Sequence, residues 1–177
     1  MISAHAKDSF ERILRRAAET RLPIAQADAC IVTPLETDAV APHTHVVVLT
    51  ISSMAFRLLL VLHFSESEAM RDYYLGERTD RSLTEVFLEV SNLCCGAVNQ
   101  SLQSAFPDLG MSTPYVLDAR CVPHLSELDP DYLASFAVRI GDAVQLIATV
   151  CVCADAPIDF VADLETADAS SGELELF

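Results

Sequence analysis

The chain has 177 residues, 51% of them apolar and 21% charged, which suits one compact domain with a sizeable core. Its net charge of −15 argues against nucleic acid or an anionic membrane surface as a partner, since both call for clustered Lys and Arg. No uncharged apolar run reaches the roughly 18 residues of a membrane span, and "MISAHAKDSFERILRRAAET" has no apolar signal-peptide centre, so the expected location is cytoplasmic.

In chain order, a first helix is predicted from Lys7 to Thr20, with Phe10, Ile13, Leu14, Ala17 and Ala18 as its apolar face. A short extended piece at Ala29 to Val32 is stopped by Pro34. "HTHVVVLTI" and "MAFRLLLVLHF" read as two strands joined by a turn at Ser52-Ser53. Ser65 with Glu68 three residues on reads as a capping box that opens a helix ending near Gly76. Ser82 with Glu85 is a second box, opening a long helix that ends before Pro107. "TPYVLD", a polar connector, and then "ASFAVRI" and "AVQLIATVCVC" follow, with the second hairpin turning at Gly141-Asp142. The last 24 residues hold seven acidic groups and no basic one, so residues 156–177 read as a loosely ordered acidic tail after a single domain over 1–155.

The order helix, extended segment, hairpin occurs twice. At an offset of 80, Thr33-Pro34 falls on Thr113-Pro114, Asp38-Ala39 on Asp118-Ala119, Ile13 on Leu93, Ala17 on Ala97 and Leu22 on Leu102. With eight more residues inserted, Phe56, Leu58 and Leu60 fall on Val144, Leu146 and Ala148. The predicted fold is therefore α+β, a duplicated α-β-β unit with pseudo-twofold symmetry. Its antiparallel sheet packs against long helices, and one core serves both halves. The helix from Ser65 to Gly76 has no counterpart in the second half.

The long helix carries the candidate site. At about 100° per residue, Glu85, Glu89, Asn92, Gly96, Asn99 and Gln103 lie within roughly 80° of one another. The opposite side, through Leu83, Val86, Phe87, Val90, Leu93, Cys94, Ala97, Ser101 and Ala105, is the expected core stripe. The polar face is either simply solvated or a working surface. It lacks Lys and Arg and includes Asn92 and Gly96, both poor residues for a helix interior. Gly96 leaves the backbone bare for close approach, either by a partner or by another element of the same chain. Leu88, Cys95 and Leu102 flank this face as a rim for a partner or as an internal seam. On the first helix, Ser9, Arg12 and Arg16 stand where Glu89, Asn92 and Gly96 stand on the second, so one site per chain is expected.

"EVSNLCCG", Glu89 to Gly96, with Pro114 downstream in "MSTPYVLDA", resembles the ExxN motif of the CheC/CheX chemotaxis phosphatases. "HFSESEAMRDYYLG" resembles the strand and helix that precede the motif in that family, and the likeness runs from about Val46 to Val150. One motif per chain is the CheX pattern. The resemblance implies a phosphatase acting on the aspartyl phosphate of a CheY-like response regulator. Asn92 would orient the attacking water and Glu89 would contact the regulator's active-site Lys. Gly96 would give clearance, with Glu85 and Asn99 as flanking partner contacts. It implies no cofactor of the chain's own, Mg²⁺ on the regulator, and a homodimer formed by sheet extension. Two departures stand out: Pro114 comes one residue early, and Glu85 sits where the family often has Asp or Ser.

Two other readings come from the residues. One is a non-catalytic CheX-like module that binds a receiver domain or flagellar switch component. The other is a metal site from His43, His45 and His63, against which stands an ordinary surface or hydrogen-bonded role for these residues. The six cysteines, Cys30, Cys94, Cys95, Cys121, Cys151 and Cys153, lack CxxC spacing and are expected as free thiols.

Overall fold

The computed structural model describes residues 1–25, 27–35, 43–77, 80–142 and 144–164. Its elements are α1 (Ala4–Arg21), β1 (Cys30–Pro34), β2 (His45–Ser52), β3 (Phe56–Phe64), α2 (Glu68–Leu75), α3 (Leu83–Leu102), β4 (Gly110–Met111), β5 (Tyr115–Asp118), a 3-10 segment (Ala119–Leu128), β6 (Tyr132–Ile140) and β7 (Val144–Ala154). The strands form one antiparallel sheet in the order β1-β6-β7-β3-β2, with β4 and β5 both on the outer edge of β2.

Both predicted hairpins form, but the first turns through Ser53, Met54 and Ala55 rather than at Ser52-Ser53, because Ser52 still pairs with Arg57. The second turns at Gly141, whose φ of 55° is a left-handed value that glycine adopts without a Cβ penalty. Ser67, not Ser65, caps α2, its hydroxyl accepting from Met70 N at 3.3 Å. Serine at either position suits a cap, and where the chain leaves β3 decides between them.

The duplication is visible in strand register. Leu35 N donates to Ser135 O at 2.9 Å beyond the β1–β6 ladder. Eighty residues later, Tyr115 pairs with Val48, the residue 87 places before Ser135. β3 and β7 lie side by side at the centre, so each half contributes one strand to the pseudo-twofold seam. The inserted residues of the second half lie between β5 and β6 and include the 3-10 segment. The repeat pair Asp38-Ala39 lies outside the described residues.

One face of the sheet packs against the helices through Leu58, Leu60, Leu62, Ala148, Val150 and Val152, all buried. Phe10, Phe56, Phe106 and Phe160 join this core by edge-to-face contacts of 4.9 to 5.8 Å. On the other face, Val46, Val48 and Val61 are covered by Leu125 of the 3-10 segment. With both faces covered, β2 and β3 read as nearly continuous apolar runs rather than alternating ones.

One expectation is corrected. Residues 156–164, assigned to a loose acidic tail, are packed against α1. Ile158 pairs with Ile2 and exchanges backbone hydrogen bonds with Met1 and Ser3 at 3.1 and 3.0 Å. Ser9 Oγ accepts from Ala162 N at 3.0 Å, and Arg12 donates to Ala162 O. Charge counting hid an apolar alternation at Ile158, Phe160, Ala162 and Leu164 that inserts between acidic neighbours. Residues 165–177 lie outside the described residues.

Ending the chain after Ala156 removes Ile158, Phe160 and Ala162 from the core. The expected loss is about 2–4 kcal/mol, read as a lower urea midpoint.

Candidate functional site

α3 starts from the capping box expected of it. Ser82 Oγ accepts from Glu85 N at 3.2 Å, and the Glu85 carboxylate accepts from Ser82 N at 2.8 Å and from Ser82 Oγ at 3.0 Å. These bonds satisfy two backbone donors that a helix start otherwise leaves without partners. They also hold the Glu85 carboxyl below its ordinary value, the Ser82 N–H contributing most. Glu85, the departure from the family pattern, thus has a local task in starting the helix.

The core side of α3 is Leu83, Val86, Phe87, Ser91, Cys94, Cys95, Val98 and Leu102. Leu93, predicted inside, is 57% exposed. α3 packs on α1 as well as on the sheet, which turns its buried arc toward Cys95, Val98 and Leu102 and away from Leu93. The series Leu88, Cys95, Leu102 is therefore an internal seam: the last two are fully buried and Leu88 packs half-buried against the same core. Burial pushes both neighbouring thiols up, that of Cys95 to about 12, so they behave as small hydrophobes.

Glu89, Asn92, Gly96 and Asn99 share the side of α3 turned from the core, Glu89 exposed and the others half-exposed. The Glu89 carboxylate is gripped by both terminal nitrogens of Arg81, one bond measuring 3.0 Å, and this pairing keeps its carboxyl below the usual range. Asn92 makes no side-chain hydrogen bond among the described residues. Asn99 Oδ1 is buried without a partner among them. Around the position a Cβ on Gly96 would take, nothing lies within 4 Å. Among the described residues, then, no other element of the protein packs against this glycine.

The corresponding face of α1 is closed. Ser9, at the place of Glu89, is buried beneath residues 158–164, with its hydroxyl against Phe160 O at 3.1 Å. Arg12, at the place of Asn92, is spent on Ala162 O. One helix face is covered by the chain itself, and no such segment covers its symmetry mate among the described residues.

The three histidines do not converge. His45 pairs in register with Phe64 and its ring lies 5.6 Å from that of Phe64, on the helix side of the sheet. His63 points to the other side, its Nε2 2.9 Å from Thr149 Oγ1, with the His43 ring 6.2 Å away. Successive residues of a strand face opposite ways, so the pairing of His45 with Phe64 rather than His63 separates the two. Among the described residues no three metal-ligating side chains lie together.

Sequence reading missed Arg81 as the partner of Glu89. The signal was present: a cation just ahead of the N-cap Ser82 is brought over the exposed face of the second turn.

The described residues form a seven-stranded antiparallel sheet with the long helices α1 and α3 on one side, and this fold is similar to those of CheX and CheC-like chemotaxis proteins. The chain matches CheX from Vibrio vulnificus with a TM-score of 0.56 at 16% identity, covering 82% of this chain and 97% of that one. It matches a CheC-like superfamily protein from Shewanella sp. PV-4 with a TM-score of 0.54 at 14% identity, over 85% and 98% of the two chains. It also matches a chain of the CheX-CheY-BeF3-Mg complex from Borrelia burgdorferi with a TM-score of 0.52 at 10% identity, over 82% and 96%. No family model and no curated protein matches the sequence. Among the described residues no helix is long and apolar enough to cross a membrane.

Two outcomes are expected. Gly96→Ala fills empty space in a mid-helix position and should stabilise the protein by about 0.5–1 kcal/mol, raising Tm by about 1–4 °C in a calorimetric scan. Burial, aided by His43, lowers the His63 pKa from 6.5 to about 4. Between those values the unfolded chain binds the extra proton, so stability falls as pH drops from about 6.5 to about 4, by about 3 kcal/mol for this group. His63→Gln, which keeps a donor toward Thr149, should flatten that slope in urea titrations.

Proposed function

We propose that the protein hydrolyses the aspartyl phosphate of a CheY-like response regulator, docking the open face of α3 over the regulator's phosphorylation pocket. The observation that carries this reading is the bare backbone at Gly96 beside the carboxamide of Asn92, which has no hydrogen-bond partner among the described residues. A glycine in mid-helix costs about 1 kcal/mol against alanine, and no contact among the described residues calls for it.

An acyl phosphate is already activated, so catalysis consists mainly of placing water in line with the leaving carboxylate. The oxygen of the Asn92 carboxamide can accept a hydrogen bond from that water, and its NH₂ can donate to a phosphoryl oxygen. Glu89 sits one turn earlier on the same face, where it can take the regulator's active-site Lys. Arg81 holds the carboxylate until then. An exposed ion pair is worth only about 0–1 kcal/mol, so exchanging Arg81 for an incoming Lys is a small step. Mg²⁺ would come with the regulator and counter its acidic site. Both partners being acidic, attraction depends on these short-range pairs rather than on long-range steering. A homodimer through sheet extension remains part of the proposal.

A second reading, a binding module without hydrolysis, is favoured by Arg81 already occupying Glu89. Phospho-regulator decay and regulator binding, measured together, separate the two. Asn92→Ala should slow catalysed decay about 100-fold or more while binding changes little. Glu89→Ala should weaken both. Arg81→Ala should alter binding less than about fivefold. Gly96→Ala, though more stable, should lose binding. Decay with wild type no faster than without protein, but with binding intact, would leave the module reading.

A further inference from the structure

On the side of the sheet away from α3 lies a cavity of about 930 Å³, roofed by the 3-10 segment and floored by β3, β6 and β7. Such a volume falls in the range of about 300–1,000 Å³ that small-molecule sites occupy. Its lining is mostly apolar, with Ile147, Leu125, Leu133 and Val122 among the contributors. Polar groups converge at one end. His63 Nε2 lies 2.9 Å from Thr149 Oγ1, which lies 2.8 Å from Ser135 Oγ, a chain buried in the sheet. Across from it His43 also lines the cavity, and its Nε2 is buried without a hydrogen-bond partner among the described residues. A buried polar atom left unsatisfied costs about 1–3 kcal/mol, which a ligand hydrogen bond would recover.

The charges around the cavity narrow the ligand class. Burial lowers the pKa of both His43 and His63, so both imidazoles are neutral at pH 7. Arg120 at the rim is already held by Asp118 through two 3.0 Å bonds, and Glu11 by Arg15 at 2.8 Å. An ionised ligand would find no unpaired opposite charge among these lining groups.

The geometry points to a binding site for an uncharged, largely apolar small molecule bearing one hydroxyl or carbonyl group, with His43 Nε2 as its hydrogen-bond partner. The site is independent of the α3 face, from which the sheet separates it. The insertion that breaks the internal repeat supplies its roof.

The test uses the full-length protein and Nile red, a neutral apolar dye with a carbonyl. Saturable one-to-one binding is expected, with 1-decanol displacing the dye at least about tenfold more effectively than decanoate or decylamine. Leu133→Trp and Ser126→Trp, both at exposed lining positions, should each weaken dye binding at least about tenfold while circular dichroism and Tm stay near wild type. His43→Phe should retain dye binding but bring 1-decanol close to decane. The proposal is overturned by non-saturable dye binding, by unchanged binding in both folded Trp variants, by a charged decyl compound matching 1-decanol, or by an undiminished preference for 1-decanol in His43→Phe.

Discussion

The pairing of β3 with β7 is the constraint on which the remaining structure depends. These strands are the central pair of the sheet and come from different halves of the chain, so neither half completes its own core. Leu58, Leu60 and Leu62 lie beside Val152, Val150 and Ala148 across the seam, a continuous apolar band facing the helices. The hairpin partners β2 and β6 extend the sheet outward, and β1 and β5 cross over to pair with the opposite half. That exchange makes the halves mutually dependent and sets α1 and α3 side by side over one core.

Symmetry at the seam is broken at its periphery, and the proposed functions lie where it is broken. The face of α1 that corresponds to the open face of α3 is closed by residues 158–164, which use Ser9 and Arg12 to hold a short apolar segment. On α3 the corresponding residues are Glu89 and Asn92, with no such segment above them among the described residues. Behind the sheet, the insertion between β5 and β6 gives one half a cover and leaves a cavity beneath it. Both departures replace self-contact by available surface.

Much of the fold was legible in the residues. Both hairpins, the three helices and the duplication follow from apolar periodicity, cap residues and turn chemistry, all local in sequence. The common face of the candidate residues was legible for a similar reason, since Glu89, Asn92 and Gly96 lie on one helix and their placement follows from helical spacing. Leu93 was misplaced because hydropathy places a residue on the apolar side of a helix without saying which neighbours cover it. The segment 156–164 was misread because it was grouped with the acidic, base-free stretch that follows it, although it holds only two acidic residues, Asp159 and Asp163. The histidines were grouped wrongly because one residue of register sends His45 and His63 to opposite sides of the sheet.

By itself, the sequence determined the elements, their repeat and the residues of one exposed helical face, since each depends on positions a few residues apart. Tertiary structure alone decided that Gly96 borders open space, that Arg81 reaches Glu89, that Ser9 is covered, and that His43 and His63 look into a cavity. Each of these is a distance between groups brought together by packing, and packing is set by the whole core at once rather than by any stretch of the chain.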